Sequence, residues 1–178
     1  SCLTGSLQQL GLNLGNVSES DPYNLKGNRE NRRISLFNES MLNYSGGSWS
    51  KIPDKIIWEN KHVEEQDLLL DEFFILNEPR GLKDPRMLFL LPFWIKKLKD
   101  IYFIGTFRHP YAVAKSLCSR KSFSIPIDEG LELWYQYNTQ LLNLQNKYQF
   151  NLLNFDLPED KYKRTLILFA GELGLSTD

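Results

Sequence analysis

The chain has 178 residues, of which 42% are hydrophobic and 24% charged, and its formal net charge is −1. That length can bury a sizeable core, and a single domain over residues 1–178 is expected. The near-neutral charge supplies no global basic field for nucleic acid or an anionic membrane, so any anion site must come from local arrangement. Residues 1–11 read as a helix, with Leu3, Leu7 and Leu10 on one face and Gly11 as its stop. Residues 12–27, rich in Asn, Gly, Ser and Pro, read as a loop. Asn28 is the expected cap of a helix from Arg29 to Tyr44, with Ile34, Phe37, Met41 and Leu42 on its apolar face and Gly46-Gly47 ending it. Residues 48–61 read as irregular, and His62 as a solvated loop histidine. Glu64 to Leu76 reads as a helix with one acidic and one Leu/Phe face. Arg80 to Lys83 is a short strand candidate. Arg86 to Leu98 is a strongly apolar helix with lysines at its C-terminal end, where cations suit the dipole. Pro92 should kink or break it.

Six of the seven residues from Ile101 to Phe107 are apolar, β-branched or aromatic, with Gly105 the exception. That composition predicts a strand covered on both faces. Pro110 stands where the first residue of a following helix, 110–120, would, a position that needs no N–H. Ile127 to Tyr148 reads as a long helix with Leu131, Trp134, Leu141 and Leu144 on its apolar side. Phe150 to Phe155 is the last strand, and Pro158 to Leu173 the last helix, capped by Gly174. Strands alternating with helices predict a helix-rich α/β fold of three layers around a parallel sheet.

Arg108 is thus expected at the carboxyl end of a strand and beside a helix N-terminus. Both features favour an anion. Its guanidinium suits one phosphate, and Ser116, eight residues on, could join it there. The plainer alternative pairs Arg108 with a nearby carboxylate, and bonds Ser116 to its own helix backbone. Arg120 and Lys121 extend the basic character of this helix, or are simply solvated. His109 reads as structural. Lys83, Asp84 and Arg86 form a charged trio interrupted by Pro85. Lys83 or Arg86 could stabilise charge developing in a group transfer, and Asp84 could act as a base. The alternative is an Asp84–Arg86 ion pair capping the next helix. Glu30 is either a further base or a first-turn glutamate complementing a helix dipole. Cys2 and Cys118 match no metal spacing and read as thiols in a reducing compartment, so a cytoplasmic location is expected. No apolar run is long enough to span a membrane, and no leading signal peptide is read.

Arg108-x-Pro110 with Ser116 on the helix resembles sulfotransferases that use 3′-phosphoadenosine 5′-phosphosulfate. Lys83-Asp-Pro-Arg86 followed by Leu91-Pro-Phe-Trp94 is similar to a segment of the bacterial and Golgi-type members. Leu133-Trp-x-x-Tyr-Asn138, the strand Leu152 to Asp156 and the Leu173-Gly-Leu175 helix end resemble further segments, in the family's order. The resemblance implies a P-loop nucleotide hydrolase-like topology. It also implies that Arg108 and Ser116 bind the 3′-phosphate of 3′-phosphoadenosine 5′-phosphosulfate, the co-substrate, and that no metal is required. Glu30, in a segment resembling the family's Gly-x-x-Glu, is its candidate base, with Lys83, Asp84 and Arg86 at the reacting group. The family's first strand and 5′-phosphosulfate loop would precede residue 1. Ser1 is read as the last serine of that loop, and the domain as N-terminally incomplete. The C-terminal Arg-Lys-Gly segment of animal cytosolic members is absent from this sequence, which argues against the small-phenol and steroid branch.

Sulfuryl transfer to a hydroxyl or amine of a small-molecule or carbohydrate acceptor is therefore the leading expectation, without nucleic acid or a membrane span. Trp49, Trp58, Phe73 and Phe74 either line an acceptor cleft or belong to the core. A non-catalytic nucleotide-binding or scaffold relative on the same fold is the alternative. A P-loop kinase-like phosphotransferase is another, against which no Gly-x-x-x-x-Gly-Lys-Ser/Thr is present. Acceptor identity and oligomeric state are not encoded in any motif.

Overall fold

Two parallel strands and seven helices are described by the computed structural model, which covers residues 2–17, 27–74, 80–120 and 124–175. Helix makes up about 56% of them. The elements are α1 (Cys2–Gln9), α2 (Arg32–Tyr44), α3 (Asn60–Phe73), α4 (Met87–Trp94), β1 (Ile104–Phe107), α5 (Pro110–Cys118), α6 (Ile127–Tyr148), β2 (Asn151–Asn154) and α7 (Glu159–Glu172). The chain is α/β and divides into two compact units, residues 1–100 with 170–178, and residues 101–169. Among the described residues, no helix is long and apolar enough to cross a membrane. Cys2 and Cys118 are free thiols.

The first unit is helical. Ile34, Phe37, Met41 and Leu42 of α2, all but completely buried, meet Leu69, Leu70 and Phe73 of α3 and Leu90, Phe93 and Trp94 of α4. The expected apolar face of α2 is the one buried. Its expected cap is not the one used. Arg29 takes a left-handed φ of 57°, so the chain turns after Asn28 and the helix starts later. Asn31 is the N-cap, its side chain accepting from the Arg33 and Ile34 N–H groups. Gly46, with φ 83°, follows the helix end as expected.

Helix α3 begins four residues before Glu64. His62 is therefore not a solvated loop residue: it is 5% exposed and lies in the first turn. Its Nδ1 accepts the Glu59 N–H at 2.9 Å, and its ring packs on Tyr44. The helix supplies the histidine with a backbone donor that otherwise has no partner. Residues 80–83 form no strand. Only Arg80 bridges, to Asn13. Helix α4 is shorter than Arg86 to Leu98. Pro92 lies inside it, and the helix ends two residues later. The Lys96 and Lys97 N–H groups reach back only three residues, to Phe93 and Trp94, so the chain tightens into a narrower turn.

The second unit contains the sheet. Strands β1 and β2 run parallel in register Ile104↔Asn151 through Phe107↔Asn154. The connection through α5 and α6 is the crossover that parallel pairing requires. The expectation of a strand covered on both faces is not met. In β1 only Gly105 is buried, Ile104 is intermediate, and Thr106 and Phe107 are exposed. Among the described residues β1 has one neighbour strand, so its outer edge and much of its surface stay open. Helix α6 spans the expected residues, but its buried side is Gly130, Leu133, Leu141 and Leu144, and Leu131 is exposed. A Cβ on Gly130 would lie 3.1 Å from Ala114, so the bare glycine is what brings α6 close to α5. Helix α7 ends at Glu172, and Gly174, φ 66°, follows it.

Candidate functional site

Arg108 directly follows β1, and α5 begins two residues later with Pro110 in its first turn. This is the strand–turn–helix expected from the sequence. The Arg108 side chain is 44% exposed. Its guanidinium lies over the Phe155 ring, 4.9 Å from the centroid, and its Nε donates to Asp156 Oδ1 at 3.3 Å. Its backbone is fixed too: Trp134 Nε1 of α6 donates to the Arg108 carbonyl at 2.9 Å. Among the described residues the two terminal nitrogens make no hydrogen bond. The guanidinium is thus held through its Nε and one face, and the side chain stays partly exposed.

Asp156 is the residue sequence reasoning missed here. Its Oδ2 accepts the His109 N–H at 2.6 Å while Oδ1 takes Arg108. One carboxylate therefore bridges a cation and a backbone donor at the entrance to α5. It arrives there because the Phe155 N–H continues the ladder to the Phe107 carbonyl. Parallel register thus brings the end of β2 beside the end of β1. His109 is the N-cap residue, and its side chain makes no cap bond. Ser116 is exposed on α5. It does not bond back to the helix: Ser119 Oγ does that, donating to the Ser116 carbonyl. Ser116 Oγ has no partner among the described residues. Lys121 and Ser1 lie outside the described residues.

In the first unit, the four residues singled out for chemistry come together. Lys83 Nζ is 2.5 Å from Glu30 Oε1, and Arg86 Nη2 is 3.1 Å from Glu30 Oε2. Arg86 Nε donates to Asp84 Oδ1 at 2.9 Å, and so does the Arg86 N–H. Residues from α2 complete the cluster. Ser35 Oγ accepts from Arg86 Nη2 at 2.5 Å, Glu39 pairs with Arg86 Nη1 at 3.4 Å, and Asn38 Nδ2 donates to Asp84 Oδ2 at 3.0 Å. Asn38 is itself fixed by Trp94 Nε1 at 2.9 Å. The Asp84 carboxyl capping the turn into α4 is the ion-pair arrangement.

Burial pushes the Asp84 carboxyl above the ordinary aspartate value, and the Glu30 charge adds to that. Arg86 and the hydrogen bonds from Asn38 and the Arg86 N–H work against it. Burial alone would lower the Arg86 guanidinium, but the charges of Asp84, Glu30 and Glu39 together raise it. Ser35, Asn38 and Glu39 went unnoticed in the sequence. Their signal is a polar triplet at i, i+3, i+4, which shares one helical face beside the apolar stripe.

Phe73 is buried in the core, Trp49 and Trp58 pack against it, and Phe74 is exposed. Three of the four aromatics proposed for an acceptor cleft are thus core or its border. A cleft of about 360 Å³ between Ser45 and Ile57 is lined by Lys51, Ile52, Pro53, Asp54 and Lys55, without aromatics. No group of His, Cys, Asp and Glu suited to a metal occurs among the described residues. No protein-family model, curated protein or solved structure matches the chain.

Proposed function

We propose that the chain is a sulfotransferase-like domain that binds 3′-phosphoadenosine 5′-phosphosulfate and transfers its sulfuryl group to a hydroxyl or amine acceptor. The observation that carries the reading is the partly exposed Arg108 guanidinium at the carboxyl end of β1, placed by Phe155 and Asp156 while Trp134 holds the Arg108 carbonyl. A planar fork in that position suits a phosphate. The exposed Ser116 hydroxyl is the second ligand assigned to the 3′-phosphate. The parallel β1–β2 pair with its helical crossover supports the three-layer P-loop-type topology, which is part of the same proposal. In the reaction, the acceptor oxygen or nitrogen bonds to sulfur and loses its proton. The bond from sulfur to the phosphate oxygen breaks, and adenosine 3′,5′-bisphosphate leaves.

A second reading, a nucleotide-binding relative without transfer activity, has one observation in its favour. Lys83 and Arg86, the cations expected to stabilise the reacting group, are already paired with Glu30, Asp84 and Glu39. The test common to both readings is calorimetric titration with adenosine 3′,5′-bisphosphate. Binding that weakens about ten- to a hundredfold in Arg108→Ala supports the nucleotide site, since a charged hydrogen bond contributes about 1.5–3 kcal/mol. Equal affinity in the variant removes it. Release of the bisphosphate from the phosphosulfate then separates enzyme from binder.

A further inference from the structure

We infer that Asp156 is a built-in competitor for the anion at Arg108, and that it sets the affinity of this site. The inference rests on the nucleotide reading above and goes beyond it. An anion entering the turn at the head of α5 has two strong directional donors to use: the Nε side of Arg108 and the His109 N–H. Both point at one carboxylate. Asp156 Oδ1 takes the first at 3.3 Å and Oδ2 the second at 2.6 Å. Two oxygens bridging a guanidinium and a backbone amide is the way a phosphate would bind there. The carboxylate is not a buried structural charge, because its side chain is 34% exposed and can swing out. Its backbone is held independently of this pairing, since the Asp156 N–H donates to Asn154 Oδ1 at 2.9 Å. Apart from Asp156, Arg108 is also held by Trp134 on its carbonyl and by Phe155 under its guanidinium.

Two consequences follow for ligands. With Asp156 in place, a phosphate reaches only the outer Nη edge of Arg108 and faces a negative neighbour. With Asp156 displaced, it gains the side-on fork and the His109 N–H. The pairing also neutralises Arg108 when no ligand is bound, so the site discriminates against weak single-contact anions.

The test is calorimetry with adenosine 3′,5′-bisphosphate on the full chain, on Asp156→Asn and on Asp156→Ala, with thermal melts to verify folding. Removing an exposed pair of this kind tightens binding by about two- to fivefold in both variants. A parallel titration with inorganic sulfate, read at the His109 amide by ¹⁵N NMR, shows a larger shift in the variants than in the wild type. Binding by the wild type that is unchanged or weakened in folded Asp156→Asn overturns the inference, because Asp156 then serves to orient Arg108, and leaves the nucleotide reading standing. Binding by the variants alone upholds both. No binding of bisphosphate or sulfate by any of the three overturns both.

Discussion

Arg86 holds Asp84 twice, through its backbone N–H and its Nε, each 2.9 Å from the same Oδ1. The other oxygen of Asp84 is held by Asn38, and Asn38 by the Trp94 indole. The chain of bonds joins α2, the turn before α4 and the end of α4. It fixes an otherwise apolar interface in one register. Asp84→Ala is expected to destabilise the protein by about 1–3 kcal/mol, because the Arg86 N–H and Asn38 Nδ2 lose their acceptor while Arg86 keeps Glu30 and Glu39. Asn38→Ala is expected to cost about 1–3 kcal/mol by stranding Trp94 Nε1, while Asp84 Oδ2 keeps Arg86 Nε at 3.2 Å. Urea unfolding of both variants and the double variant checks this, and the double variant should cost less than the two singles together.

The same carboxyl gives the protein an unusual acid response. Its folded value is raised above the ordinary 3.8, chiefly by burial. The folded state therefore holds the proton more firmly than the unfolded chain. The stability it contributes is present below 3.8 and is lost as pH rises through the raised folded value. Unfolding free energies of the wild type and Asp84→Asn, compared from pH 3.8 upward, should diverge, with the wild type losing ground. A difference that grows in favour of the wild type with pH would contradict the assignment.

Gly47 lies where the chain leaves α2. A Cβ there would stand 2.4 Å from the Lys51 carbonyl oxygen and 2.8 Å from the Pro53 nitrogen, both backbone atoms. Gly47→Ala must therefore shift the 47–53 loop, at about 1–3 kcal/mol. Gly46→Ala meets no atom and strains only the positive φ, at about 1 kcal/mol. Thermal melts of the two variants should rank them in that order.

Trp134 connects packing to the proposed site, since its indole donates to the Arg108 carbonyl. Trp134→Phe retains the ring and loses the bond. The expected result is a stability loss of about 1 kcal/mol and nucleotide binding weakened several-fold, through Arg108 no longer being aligned. Unchanged affinity in the folded variant would show that Arg108 needs no alignment from α6.

Long amphipathic segments were legible in the sequence. Helix α6 runs over the expected Ile127–Tyr148, because its apolar residues recur without interruption and Pro126 and Gln149 flank it. Its buried stripe was misjudged at Leu131, since Leu131 and Leu133 fit competing stripes and only the neighbouring α5 decides between them. Caps were harder to read. Asn28 and Asn31 are equivalent in type, and the left-handed Arg29 between them decides which one starts α2. The structural role of His62 was hidden because it depends on where α3 begins. In the candidate site, Arg108 and Pro110 were readable as local strand–turn–helix chemistry. Asp156 was not, because its place beside Arg108 comes from parallel pairing over 48 residues of sequence.

Arg108 is proposed to read a 3′-phosphate. This is tested most directly by measuring the affinities of adenosine 3′,5′-bisphosphate and adenosine 5′-phosphate for the wild type and for Arg108→Ala. The wild type is expected to prefer the bisphosphate by about tenfold or more, and Arg108→Ala to bind the two nucleotides alike. Equal binding of the two nucleotides by the wild type, or a preference that survives in Arg108→Ala, would contradict it.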